Sequence, residues 1–264
     1  FLLAIVGFIF FFLKWEPEPP LPSLPSLPKE KIAILPEPPL IPTHKECKGT
    51  KCIVVEGPGV DLCKSDEVCR PPLPPIAIGV SEEITVSALN SDVFIPLLDK
   101  KFKKEYPPKT FIEIIPKYKG GLLTISQLFK LLDLHPPKDV KDNLETYTLY
   151  LYSQEELFVQ ERRNRLGIAF KIKKGKAGIV RTAMSEWEKV LPDDFLKVHT
   201  LWKRGKKASP EFLDCLDLRY SDVPIRYTNF PVPDLSIDWA IYDNVLLITT
   251  SRESMWQSID VLKK

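Results

Sequence analysis

The chain has 264 residues, of which 44% are hydrophobic and 27% are charged, and its formal net charge is only +2 at pH 7. This composition is typical of a folded domain and excludes a wholly disordered chain, while the near-neutral charge excludes a globally basic nucleic-acid-binding protein. Proline is the outlier, because 15 of the 26 prolines lie between Pro17 and Pro75. They separate an apolar start from a C-terminal domain over residues 76–264.

The first 13 residues, FLLAIVGFIFFFL, carry no charge and are followed by Lys14 and Trp15. Thirteen helical residues rise about 20 Å, whereas about 20 apolar residues are needed to cross a bilayer core. We therefore interpret residues 1–15 as the C-terminal part of a transmembrane helix with Lys14 and Trp15 at the membrane interface. A secretory signal peptide is an alternative, although neither a basic leader nor a small-residue cleavage site accompanies the run. A processed pilin-like N-terminus is a third, although the acidic residue expected near position 5 is missing.

Residues 16–46 form a proline-rich linker that begins EPEPPLPSLPSLP. Proline holds the backbone near polyproline II geometry and removes amide donors that helices and sheets need. Such a segment is a semi-rigid spacer, so we expect it to hold the following module away from the membrane surface.

A small module with its linker, residues 47–75, contains four cysteines: Cys47, Cys52, Cys63 and Cys69. Their spacings do not match the paired knuckles of structural zinc sites, and a C-x-x-C redox pair is absent. A short segment with little core favours two disulfides in an oxidising compartment, with three connectivities open. Zinc bound by the first pair with His44, and free thiols, are the alternatives.

The first elements of the C-terminal domain follow from apolar periodicity. A helix over residues 90–105, with Pro96 in its first turn or bending it, is predicted to bury a face that contains Val93, Leu97, Leu98 and Phe102. A strand over residues 109–118 follows. Thr124 and Gln127 then form a capping box that opens a helix over residues 126–134.

Two alternating strands over residues 146–154 and 165–174 are expected to pair antiparallel. The next helical pattern, residues 176–203, is broken at Pro192 and places on one face Ile179, Ala183, Trp187 and Val190.

Short strands dominate the remainder and are predicted over residues 215–220, 224–230, 236–243 and 245–251. Asp243 and Asn244 are typical of a two-residue hairpin turn. Thr250 and Glu253 form a second capping box that opens a final helix over residues 253–262. This order of elements predicts an α+β domain, with an antiparallel sheet and helices packed on one face.

Several segments carry a resemblance: YTLYLYSQ, NRLGIAFKIK, SEWEK and IRYTNFPVPDLSIDWAIYDNVLLITTSRESMWQSID. Together with the anchor and linker they resemble a family of membrane-anchored extracytoplasmic domains of unknown function from small-genome bacteria. The cysteine stretch is similar to short C-x-x-D-x-x-C modules of secreted envelope proteins. The resemblance implies the fold and a location outside the cytoplasmic membrane, and it implies no catalytic residue.

Motifs for chemistry are sparse in this sequence. His44, His135 and His199 lack metal-ligand spacing, and nucleophile elbows and phosphate- or dinucleotide-binding glycine loops are missing. Cys215 is interpreted as a small buried hydrophobe. We expect no cofactor, no metal and no enzyme activity, with one alternative: a hydrolase whose carboxylate site is not located, drawn from Asp214, Asp217, Asp234 and Asp238.

Basic residues are locally dense, and they are candidate anion-binding residues: Lys100, Lys101, Lys103, Lys104, Arg162, Arg163, Arg165, Lys203, Arg204, Lys206 and Lys207. If they shared one face, the domain would bind an anionic polymer or DNA. A charge run is more often a solvated surface. The preferred hypothesis is therefore a single-pass membrane protein with a non-catalytic binding or assembly module that contacts an envelope protein or polymer; nucleic acid is not favoured.

Overall fold

A computed structural model describes residues 42–48, 51–61, 63–65, 74–155, 163–202, 211–215, 220, 222–231 and 235–264. No helix in these ranges is long and apolar enough to cross a membrane. The predicted anchor and most of the proline-rich linker lie outside the described residues.

The cysteine module contains a small hairpin that the sequence patterns did not predict. Strand β1 (Thr43–Lys48) pairs antiparallel with β2 (Lys51–Glu56), in an unbroken register from Thr43 opposite Glu56 to Lys48 opposite Lys51. The backbone amide of Gly57 donates to the carbonyl of Pro42 at 2.8 Å and extends the ladder by one bond.

The C-terminal domain is built on one mixed sheet in the order β3-β4-β6-β7-β11-β10-β9-β8, with β5 paired to β4. Its strands are β3 (Ser81–Val86), β4 (Thr110–Tyr118), β5 (Gly121–Leu122), β6 (Leu144–Ser153), β7 (Asn164–Ile172), β8 (Leu213–Asp214), β9 (Ile225–Asn229), β10 (Ser236–Tyr242) and β11 (Val245–Thr249). All neighbours pair antiparallel except β3 and β4, which are parallel because a helix connects them. The predicted antiparallel sheet is thus corrected at this edge.

The helices of the described chain are α1 (Ser91–Phe102), α2 (Ile125–Leu132), α3 (Lys138–Asp142), α4 (Ala177–Trp187), α5 (Leu191–Asp194), α6 (Leu196–His199) and α7 (Arg252–Leu262), with a 3₁₀ turn at Thr200–Trp202. The predicted α+β class is confirmed. The expectation that the helices pack on one face is wrong, because the two faces of the sheet bury separate apolar clusters.

The larger cluster lies under α1 to α6 and includes Ile112, Leu149, Phe170 and Trp239. The smaller cluster lies under α7 and contains Tyr150, Ala169 and Leu247 with Met255 of α7. Because side chains alternate along a strand, residues 149 and 150 belong to opposite faces. Strands β6, β7, β10 and β11 are buried on both faces, and this is why their sequences read as nearly continuous apolar runs.

The turn and cap predictions have mixed outcomes. The capping box of α2 is confirmed, with Thr124 and Gln127 each bonded to the other's backbone amide. The hairpin at Asp243 and Asn244 is confirmed, and both residues have positive φ. The second capping box is wrong: Ser251 is the N-cap of α7 and accepts from the amide of Ser254.

Thr250 does not cap α7 because its hydroxyl is already used. It accepts from the amide of Leu166 at 2.9 Å and donates to the carbonyl of the same residue at 3.0 Å, which continues the pairing with β7. Glu253 instead accepts from the Tyr152 hydroxyl at 2.8 Å.

Two further predictions concern residues 176–220. A short strand, β8, is present at Leu213–Asp214, whereas most of the strand expected over residues 215–220 lies outside the described residues. The long helical pattern divides into α4, α5 and α6, and α4 buries Val180, Ala183, Met184 and Trp187. Ile179 and Val190, predicted on the buried face, are 43% and 49% exposed.

Candidate functional site

The cysteine module contains a disulfide between Cys52 and Cys63, with Cα atoms 5.9 Å apart. Cys63 is 3% exposed. The disulfide prediction is confirmed for this pair, and it reduces the three connectivities to one, in which Cys47 would bond Cys69. Cys69 and the side chain of Cys47 lie outside the described residues.

The disulfide also uses two of the four thiols that a zinc site would need. The remaining zinc candidate, His44, is engaged within the hairpin: its ring contacts Glu46 Oε1 at 2.8 Å and the carbonyl of Gly57 at 3.0 Å. Hydrogen bonds to Glu46 and Gly57 raise the pKa of His44. These contacts give the histidine a structural role in the hairpin.

Lysines at the C-terminal end of α1 converge on β3. Lys101 and Lys104 both contact Glu82, at 2.5 and 2.8 Å, and the Tyr106 hydroxyl donates to the same carboxylate at 2.7 Å. Burial raises the pKa of Glu82, but the hydrogen bonds from Lys101, Lys104 and Tyr106 outweigh it and bring the pKa to about 2.

The other lysines of this run differ from each other. Lys103 pairs with Asp99 one turn earlier in the helix, at 2.5 Å. Lys100 is exposed. Two lysines of the run, Lys101 and Lys104, therefore share the carboxylate of Glu82.

The arginines at the start of β7 are used within the fold. Arg163 donates to the carbonyl of Gln154 at 2.8 Å across the base of the hairpin between β6 and β7. Arg165 is 3% exposed and donates to the carbonyl of Asn164. The remaining candidates, Arg162, Lys203, Arg204, Lys206 and Lys207, lie outside the described residues.

Strand β3 forms one edge of the sheet. Among the described strands it pairs with β4 alone, over six consecutive residue pairs. The carbonyl of Val80 accepts from the amide of Glu113 at 2.8 Å, so it points towards β4. Because backbone groups alternate in direction along a strand, the N–H and C=O groups of Ser81, Glu83 and Thr85 point away from the sheet.

One side of α1 lies above this edge. At its first residue, α1 also contacts α6, where Lys197 donates to Ser91 Oγ at 2.9 Å. Successive residues of a helix are rotated by about 100°, so Val93 and Leu97 lie in the same sector as Lys101 and Lys104, towards β3, while Lys100 lies at the outer margin of this sector. Val93 and Leu97 were predicted to be buried, but they are only half-buried.

We refer to these features together as the β3 edge site. It consists of the outward backbone groups of Ser81, Glu83 and Thr85 and the side chains of Val93, Leu97, Lys100 and Lys104.

A second cluster is buried beneath α7 around Asp238, which is 3% exposed. The carboxyl lies in register between Thr249 of β11 and Tyr227 of β9, and the Ser236 hydroxyl donates to it at 2.7 Å. Burial raises the pKa of Asp238 to about 7, although Ser236, Arg252 and Thr249 offset part of the shift.

A carboxyl that titrates near neutrality suits a general acid, but a glycosidase needs two carboxylates on either side of one bond. The predicted partner Asp214 contacts Arg226 at 3.0 Å, and Arg226 also pairs with Glu188 beside Trp239. Trp239 belongs to the larger cluster, so Asp214 and Asp238 lie on opposite faces of the sheet. Asp217 and Asp234 are outside the described residues.

Two further pairs resemble catalytic dyads. Lys197 and Ser91 have the geometry of a serine–lysine pair, but such a lysine must be neutral to act as a base. The hydrogen bond that Lys197 donates to Asp133, together with the charge of Asp92, raises the pKa of Lys197, so it stays protonated.

His135 contacts Asp194 at 3.3 Å, and the same carboxylate accepts from the indole N–H of Trp187 at 2.7 Å. Within the described part of the chain, no hydroxyl group is bonded to His135 as a nucleophile would be. The pair instead connects the end of α2 to α4 and α5.

Comparisons of the chain with family models, with curated proteins and with solved structures find no match. The resemblance inferred from the sequence is therefore a prediction that these comparisons do not test. The β3 edge site was not predicted, because β3 has the short sequence SEEITV, in which only two of six residues are large and apolar.

Proposed function

We propose that the protein is a membrane-anchored, extracytoplasmic and non-catalytic binding or assembly module of the cell envelope. The observation that carries the proposal is the disulfide between Cys52 and Cys63. Structural disulfides persist in oxidising compartments and are rare in the reducing cytosol. The bond stabilises a hairpin that has too few apolar residues for a core of its own.

The N-terminal sequence supports the same location. An uncharged apolar run followed by Lys14 and Trp15 suits the end of a membrane helix, and the proline-rich sequence from residue 16 to the start of β1 at Thr43 suits a spacer. In this arrangement the disulfide-bonded hairpin separates the spacer from the folded domain.

The polar clusters of the domain favour binding over catalysis. Lys197 is held protonated by two carboxylates, Asp214 is paired with Arg226, and Asp238 is buried on the opposite face of the sheet from Asp214. The β3 edge site, in contrast, presents backbone groups and lysines at the surface.

Thiol labelling tests the location. The full chain, including its apolar N-terminal run, is expressed in a bacterial host. The isolated protein is denatured, and its thiols are labelled with a maleimide mass tag in one sample before reduction and in another after it. We expect Cys52 and Cys63 to react only after reduction, while Cys215, which is a free cysteine, reacts in both samples and serves as the internal control. Labelling of Cys52 and Cys63 without reduction would refute the extracytoplasmic location.

A further inference from the structure

The edge strand β3 has the properties of a docking strand. Strand addition uses the outward N–H and C=O groups of an exposed edge for affinity and the flanking side chains for specificity. Ser81, Glu83 and Thr85 supply six such groups along a strand whose register with β4 is unbroken.

Natural edge strands are usually protected by proline, bulges, short length or charges. The opposite edge of this sheet shows two of these devices: β8 has only two residues, and Arg226 binds both Asp214 and the carbonyl of Phe212 beside it. Strand β3 has six residues and no proline. Its two acids form ion pairs with neighbouring elements and so do not protect the edge: Glu82 pairs with Lys101 of α1, and Glu83 pairs with Lys117 of β4.

The side chains above the edge determine what would bind there. An added strand would place every second side chain beneath α1, where Val93 and Leu97 offer apolar surface along one half of the helix. At the other half lie Lys100, Lys101 and Lys104, and the last two share the carboxylate of Glu82.

This charge pattern favours an acidic partner over a second copy of the chain. In a copy, the four acids of β3 and α1 already form ion pairs: Glu82 with Lys101 and Lys104, Glu83 with Lys117, Asp92 with Lys197 and Asp99 with Lys103. A copy would therefore have to break an existing ion pair before these elements could offer a carboxylate to the lysines.

We infer that an extended segment of a partner protein, with acidic and apolar residues on its α1 side, adds to β3 at the β3 edge site. The inference rests on the proposed function, because it names the partner class of that binding module. In this arrangement the lysines at the C-terminal end of α1 bind the carboxylates of a peptide rather than the phosphates of a nucleic acid or other polymer.

The decisive variant is Thr85→Pro, with Thr85→Ala as its matched control. Proline removes the outward N–H of residue 85, which has no role within the sheet, and edge strands tolerate proline at such positions. Alanine removes the same side chain and keeps the N–H. Circular dichroism and thermal unfolding establish that both variants are folded.

A display library of random nine-residue peptides is selected on the full chain, and enriched peptides are measured by fluorescence anisotropy. We expect acidic sequences with alternating apolar residues, which bind Thr85→Ala like the wild type and bind Thr85→Pro at least about tenfold more weakly. Lys100→Glu combined with Lys104→Glu is expected to weaken binding and to flatten its salt dependence.

Three outcomes would overturn the inference: enriched peptides without acidic residues, equal binding to the two Thr85 variants, or no enrichment at all. Binding of DNA that is lost in the lysine variant but unchanged in Thr85→Pro would assign the lysines to a polyanion. A dimer in sedimentation that Thr85→Pro dissociates would assign the edge to a second copy. Because thiol labelling tests the location separately, failure of the peptide experiment leaves the proposed function standing.

Discussion

The two faces of the central sheet are stabilised in different ways. The face beneath α1 to α6 buries a large and almost wholly apolar cluster. The face beneath α7 buries a smaller cluster interrupted by polar groups, among them Asp238, Thr249 and Ser258. The comparison teaches that burial alone does not define a core: the first face gains stability chiefly from apolar area, with few buried polar groups such as Glu188 and His199, whereas the α7 face also contains a buried carboxyl and several hydroxyls that depend on hydrogen bonds.

The largest expected effect is on the apolar face. Trp239→Ala should lower the free energy of unfolding by about 4 kcal/mol, because it removes a fully buried indole and leaves a cavity. It also removes the N–H that donates to Glu188 at 2.9 Å. Urea unfolding measures the loss, and Leu213→Ala, at a side chain that is 46% exposed, is the control that should change little. An equal loss in both variants would contradict the view that this face supplies the main apolar stabilisation.

A somewhat smaller effect is expected on the α7 face at Gly167. A Cβ atom at this position would lie 2.1 Å from the ring of Tyr150, which is itself completely buried. Gly167→Ala should therefore cost about 3 kcal/mol, since the ring must move or the strands must separate. Gly178→Ala is the matched control: it lies in α4 with open space around it, so the same change should be neutral or slightly stabilising. If the urea midpoint of Gly167→Ala equals that of the wild type, Tyr150 of β6 does not pack closely against Gly167 of β7.

On the α7 face, stability should depend on pH through Asp238. Burial raises the pKa of Asp238 to about 7, above that of an unfolded aspartate. Its contribution to stability is therefore fully present below about pH 4 and is lost as the pH rises through 7. Asp238→Asn removes this dependence, so its stability relative to the wild type should rise by about 2 kcal/mol between pH 5 and pH 7.

The stability of Asp238→Asn must be compared with that of the wild type at each pH, because the titration of His199 changes stability in the opposite direction. Burial lowers the pKa of His199 to about 3, so its contribution is present above about pH 6.5 and is lost as the pH falls. Subtracting the unfolding curves of wild type and Asp238→Asn cancels His199 and isolates Asp238. If the difference in the free energy of unfolding between Asp238→Asn and the wild type stays constant from pH 5 to pH 8, the carboxyl of Asp238 is not held in a low-dielectric site.

The sequence predicted those parts of the fold that depend on local patterns. The capping box at Thr124 and the turn at Asp243 and Asn244 involve neighbours in the chain, and both are present. The cap at Thr250 failed because its hydroxyl bonds Leu166, which is 84 residues away. No local pattern reports such a contact.

The candidate site was beyond sequence reasoning for a related reason. The lysines of α1 were recognised as a basic run, but their partner Glu82 belongs to a strand that the sequence did not reveal. The carboxylates considered for a hydrolase also could not be assigned to one face of the sheet or the other. Side chains alternate between the faces along β8 and β10, but the sequence does not show how the two strands are aligned through β9.

The smallest effect concerns a single hydrogen bond on the α7 face. The Tyr150 hydroxyl lies 2.6 Å from Ser258 Oγ, and both side chains are fully buried. Tyr150→Phe should cost only about 1 kcal/mol, because Ser258 keeps its bond to the carbonyl of Ser254 at 2.6 Å and no polar atom is left without a partner. Thermal unfolding measures the change. A loss comparable to that of Gly167→Ala would show that the tyrosine hydroxyl, rather than the fit of its ring against Gly167, is what holds α7 on the sheet.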